Sequence, residues 1–161
     1  MKQKEFYRAS LRHLSSCKAL LEKISNCQPC EKSVYISEVY YLSGYIIETI
    51  LSWAIFEQAN YKGDILNSDI YNDGCFKTHC LMSKSNIALN KYGCNLRGVN
   101  FIDQKHADKK LQNMYSKWTV DLRYQNYKEI HQELLIDENA ISSYMNEVEK
   151  VMKLIINKYH R

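Results

Sequence analysis

Chemistry in this 161-residue sequence is concentrated in a few places. Cys27-Gln-Pro-Cys30 has the two-residue gap that zinc and redox sites use, and Cys75, His79, Cys80 and Cys94 carry further potential ligands. A structural zinc site usually wants a second tight pair, which the sequence lacks, and nothing around Cys27 reads as the strand–helix setting of a redox motif. In a reducing compartment six cysteines make a poor disulfide framework. Free thiols are therefore expected, with no metal and no other cofactor. Lys105, His106, Lys109 and Lys110 form a basic cluster, and the first 23 residues carry six cations against two carboxylates. Either can attract a polyanion, although the plainer reading is solvated helix surface. No glycine-rich phosphate loop, nucleophile elbow or zinc-protease helix motif occurs.

The most demanding residue is Glu48. Gly44, Glu48 and Ser52 are spaced four apart and so share one side of a helix. Around them Val39, Leu42, Ile46, Ile47, Ile50, Leu51, Trp53, Ile55 and Phe56 cover most of the remaining circumference, the pattern of a helix at the centre of a bundle. Glycine and serine would let another backbone approach closely. The carboxylate between them would then be buried, at a considerable cost unless a cation or donors meet it. The sequence requires a partner for Glu48.

The elements that hold these residues are helical. With 45% apolar and 25% charged residues the composition is globular, and 5 glycines with 1 proline argue against a sandwich or barrel of many short strands. At this length one domain spanning 1–161 is expected, with roughly 70% of the unfolded chain's surface hidden on folding. The spacing of Leu11, Leu14, Cys17, Leu21 and Ile24 predicts a helix over about 3–25, ended near Pro29. A second helix follows over about 33–60, a loop over 61–75, a moderately patterned helix over 77–91 with Leu81, Ile87 and Leu89, and another over about 103–121. Residues 122–136 are ambiguous. Ile141, Met145, Val148, Met152, Ile155 and Tyr159 define the last helix, with Asp137 as its N-cap. The result is an all-α antiparallel bundle. The N-terminus lacks the apolar run of a secretory peptide, and the stretch 45–56 is too short to span a bilayer and contains Glu48. A cytoplasmic protein without a membrane partner is expected.

Three segments, in order, resemble a known family. Tyr41-Leu-Ser-Gly-Tyr-Ile-Ile-Glu48 is similar to the second-helix signature of HEPN domains, in which a Gly-Tyr pair precedes a helical glutamate. His79 followed by Leu81 looks like that family's His-x-Leu element, and Trp118-Thr-Val-Asp-Leu-Arg-Tyr124 resembles its tryptophan-led Leu-Arg-Tyr segment. The resemblance implies a HEPN-like bundle of four to five helices that forms a homodimer. It also proposes the partner that Glu48 requires, Arg123, as a structural ion pair in the core or at the edge of a cleft.

HEPN domains commonly bind or cut RNA, and several are metal-independent endoribonucleases of toxin–antitoxin, defence or CRISPR systems. In that reading Arg123 holds phosphate, His131 or His79 moves the proton, and Tyr124, Tyr127, Lys109 and Lys110 contact RNA. Catalytic members usually place a polar residue after the arginine and a histidine after a gap of four to six residues. Here Tyr124 follows Arg123, and seven residues separate it from His131. The literal four-residue gap, Arg8 to His13, falls in the first helix and reads as coincidence. The alternative is a non-catalytic interaction module docking a partner such as a nucleotidyltransferase, with Glu48 and Arg123 purely structural.

Overall fold

The computed structural model describes residues 1–73, 76, 78–96 and 108–160; the described residues lie in helices and turns, with no strand among them. Helix α1 (Lys4–Asn26) and helix α2 (Pro29–Gln58) are separated by Cys27 and Gln28 alone. Pro29 therefore opens α2 rather than holding the chain in a longer break. At the first helical position its missing N–H costs nothing, and its fixed φ already suits the helix. The Gln28 N–H donates to Glu31 Oε2 at 3.3 Å, which satisfies an otherwise orphaned donor.

The tight reversal packs α1 antiparallel on α2. Cys17 donates to the Val39 carbonyl, His13 stacks on Tyr45, Tyr7 meets Trp53 and Phe6 meets Phe56. Residues later in α1 thus meet residues earlier in α2. Beyond α2 come a 3-10 turn at Ile65–Asn67, the one-turn helix α3 (Asp69–Asn72) and helix α4 (Leu81–Asn90). Helix α5 (Lys109–Lys117) is followed by a 3-10 turn at Val120–Tyr124, helix α6 (Tyr127–Leu134) and helix α7 (Glu138–Tyr159). The span 122–136 proves to be the end of that turn and α6. Asp137 caps α7 as its sequence position suggests, accepting from the Ala140 N–H at 2.7 Å.

Helix α2 is the axis of the bundle, in contact with α1, α4, α6 and α7. Ile46, Ile47, Ile50, Leu51, Ala54 and Ile55 are wholly buried on it. Taken whole, α2 corrects the expectation drawn from 45–56 alone: its 30 residues are long and apolar enough to cross a membrane by length and composition. In this fold 78% of that apolar window is buried against the rest of the chain, which is what a central helix needs.

Gly44 has a specific occupant. A Cβ built there would lie 1.8 Å from Cε2 of Trp118, so only glycine admits the indole. Trp118 ends α5 and donates its Nε1–H to the Tyr41 carbonyl at 2.9 Å. The small-residue line on α2 thus receives a side chain at Gly44, where the sequence pattern suggested a second backbone. The indole pins the following turn to the central helix.

Candidate functional site

One turn beyond Gly44, the Glu48 side chain faces the start of α4. Its Oε1 accepts from His79 Nδ1 at 2.9 Å and from Lys84 Nζ at 3.4 Å. Among the described residues no donor reaches its buried Oε2. Lys84 is only 2% exposed, and its ammonium also lies 5.0 Å from the centre of the Phe76 ring. Ser52 donates to the Glu48 backbone carbonyl at 2.7 Å and leaves the carboxylate to His79 and Lys84. The carboxylate only accepts, so His79 donates through Nδ1; in the neutral ring Nε2 is then the basic nitrogen. The His79 side chain is about half exposed.

Arg123 is not the partner of Glu48. It is exposed, and its guanidinium lies 4.6 Å from the centre of its neighbour Tyr124. Among the described residues no carboxylate comes within ion-pair distance of it. The 3-10 turn explains the correction. Leu122 is buried against the core, which turns the next two side chains outward, and Tyr124 is 76% exposed.

Tyr45 links the two places. Burial pushes its phenol well above the ordinary range, helped by the 3.0 Å contact with the Tyr41 hydroxyl and by the charge of Glu48; Arg123 opposes the shift. Both charges therefore act on one phenol, a single helical turn from Glu48. His13, stacked on the other side of Tyr45, is held below its ordinary pKa by burial and by Arg12, against the pull of Glu48.

The remaining expected residues divide. Lys109 and Lys110 open α5, roughly 13 Å of helix from Trp118, and Lys110 Nζ approaches Asp137 Oδ2 at 3.9 Å. They stand apart from Arg123. His131 and Tyr127 sit on α6, with side chains outside the described residues, as are Cys75, Lys105 and His106. Among the described residues no three His, Cys, Asp or Glu side chains gather as metal ligands, and the described cysteines are free thiols. Burial pushes the Cys17 thiol up to about 12. Burial would raise Cys80 too, but hydrogen bonds from the Ser83 hydroxyl and from the Ser83 and Met82 N–H groups hold it below its ordinary value.

Two site residues escaped the sequence reading, Lys84 and His13. The buried positions of α4 are Leu81, Lys84, Ser85 and Ala88, an i, i+3, i+4, i+7 face whose two middle members are polar. Counting forward from Leu81 would have exposed it. Nothing in the spacing of α1 signals His13: the Arg8–His13 gap reads as coincidence, with Arg8 paired to Glu5 and His13 stacked on Tyr45. No family model, curated protein or solved structure matches the chain.

Proposed function

We propose that the chain is an RNA-directed HEPN-like module with metal-independent ribonuclease chemistry. Support for the family reading comes from contacts between its three sequence elements. Glu48 of the first hydrogen-bonds His79 of the second, and Trp118 of the third seats on Gly44 and the Tyr41 carbonyl of the first. The observation that carries the function is the exposure of Arg123, which Glu48, already met by His79 and Lys84, does not engage. Its guanidinium is left to hold phosphate oxygens by paired hydrogen bonds.

In the proposed reaction His79 Nε2 takes the proton of a ribose 2′-hydroxyl, while Glu48 orients the ring and stabilises the imidazolium. The 2′-oxygen attacks phosphorus, charge on the phosphate oxygens is met by Arg123, and the 5′-oxygen leaves with a proton from solvent. The products are a 2′,3′-cyclic phosphate and a 5′-hydroxyl. A homodimer, a cytoplasmic location and a toxin–antitoxin or defence setting accompany the proposal.

A second reading draws on Lys84. A lysine buried to this degree on Glu48 is a structural fixture, which suits a non-catalytic module docking a protein such as a nucleotidyltransferase. Incubation with total RNA in EDTA separates the two. Cleavage by the wild type, lost in both Arg123→Ala and His79→Ala while Arg123→Ala keeps the wild-type melting temperature, supports the nuclease. Intact RNA with salt-sensitive binding removes catalysis and keeps RNA; neither cleavage nor binding leaves the docking module.

A further inference from the structure

The turn between α1 and α2 carries two thiols that the proposed RNA chemistry does not use. Cys27 lies between the helices and Cys30 in the first turn of α2, with two residues between them, the gap at which zinc sites place paired ligands. Cys27 is half-buried, Cys30 is exposed, and both thiols are free. From Ser25 to Glu31 no residue is buried, so the turn is an open end of the bundle. It is also a fixed one. Pro29 starts α2, the Gln28 N–H is bonded to the Glu31 carboxylate, and the Glu31 N–H is bonded to the Gln28 carbonyl. Lys32 Nζ then holds Glu138 Oε2 at 2.7 Å, across to the start of α7. Two thiols on a turn held this way are preorganised for a metal.

One chain supplies half of such a site. Structural zinc takes four ligands in a tetrahedron, and among the described residues no third His, Cys, Asp or Glu side chain joins the pair. The second tight pair that the sequence lacks is available from a second copy. A two-fold axis through the metal would bring the same turn of that copy to the other two positions. The charge at this end of the hairpin permits the approach. Glu22 and Glu31 balance Lys23 and Lys32, so two turns meet without net repulsion. Val34, one helical turn beyond Cys30 and on the same side, is 40% exposed, an apolar residue that the second copy would cover. Lys32 also lies close enough to Cys27 for their charges to interact. That cation is placed to answer the metal centre, because four thiols release four protons to one Zn²⁺ and leave a net charge of about −2.

We propose that Cys27 and Cys30 of two copies bind one zinc ion and clasp the chains together at the α1–α2 turn. The clasp stands apart from the RNA reading, since none of Glu48, His79 and Arg123 takes part in it. The test takes the full chain, strips it with EDTA, keeps it reduced with a phosphine and returns it to zinc sulfate. Light scattering after gel filtration gives the mass, and elemental analysis gives the metal content. Zinc should raise the mass found in EDTA at least about twofold, with about one zinc per two chains, and renewed EDTA should reverse both. Cobalt(II) in place of zinc should show the intense visible absorption of tetrahedral thiolate ligation. Cys27→Ser and Cys30→Ser should each abolish the association, while Cys80→Ser, at the other exposed thiol, should keep it. An unchanged mass in zinc, one zinc per chain without association, or association that survives Cys30→Ser overturns the clasp, whatever the chain does to RNA.

Discussion

Two cations near the polar line of α2 have opposite surroundings. Lys84 is 2% exposed, locked between the Glu48 carboxylate and the Phe76 ring. Arg123, one turn beyond the Trp118 anchor, lies exposed over Tyr124 with no carboxylate in reach among the described residues. Both electrostatic needs arise at neighbouring places, yet the less hydrated guanidinium stays outside and the strongly hydrated ammonium goes in. The difference follows from the elements that carry them. Lys84 sits on the buried face of α4, between Leu81 and Ala88, whereas Arg123 follows the Leu122 that plugs its short turn into the core. Where the backbone fixes a long side chain toward the core, a buried carboxylate makes the charge tolerable. Where the backbone turns it outward, its charge stays in solvent, which is what the proposed phosphate-holding role needs.

The contrast is broken or kept by truncation. Lys84→Ala leaves Glu48 with His79 alone and should cost on the order of 3 kcal/mol in urea unfolding. Arg123→Ala should stay within about 0.5 kcal/mol of wild type. Adding Glu48→Gln to Lys84→Met should recover much of the loss, because both charges of the pair leave the core together. If Arg123→Ala proved the more damaging change, the assignment of structure to one cation and ligand to the other would be reversed.

A smaller effect sharpens the same boundary. Gly44→Ala places a Cβ inside the Trp118 indole and should cost about 2 kcal/mol as the ring is driven from its seat. Because that ring anchors the Arg123 turn but not α4, the variant should shift tryptophan fluorescence and, under the proposed function, weaken RNA binding while leaving the Glu48–His79 contact in place. NMR of the His79 ring, read alongside the fluorescence, separates the two regions. Movement of both together would mean that they form one cooperative unit.

The fold was largely legible because helical periodicity is local. The faces of α1, α2 and α7 are written in apolar residues, and Asp137 announces its helix directly. The need of Glu48 for a cation was legible for the same reason, since Gly44 and Ser52 flank it at helical spacing. The identity of that cation was not. Hydrophobic periodicity is blind to a buried face made of lysine and serine, and in α4 it favoured Ile87 and Leu89, which are only half-buried, over Lys84 and Ser85. The HEPN resemblance named Arg123 by its place in a motif. Which way a residue points from a 3-10 turn depends on the tertiary anchor, here Leu122, and no spacing rule carries that.

His13 yields the mildest prediction, and its sign can be worked out. The ring is half-buried on Tyr45, and burial with the adjacent Arg12 charge lowers its pKa from the ordinary 6.5, against the attraction of Glu48. The unfolded chain therefore binds this proton more readily than the folded one in the window just below 6.5. Stability from the neutral, stacked ring is present above that value and lost as pH falls through it toward the folded pKa. The wild type should thus lose more melting temperature between about pH 7 and about pH 5.5 than His13→Gln does. Arg123→Ala should leave that loss almost unchanged, because its charge reaches Tyr45 from the exposed turn, whereas His13 answers chiefly to its own burial. An identical pH dependence in wild type and His13→Gln would mean that the ring is solvated. The Tyr45 stack would then belong with the exposed region of Arg123 and not with the buried one of Lys84.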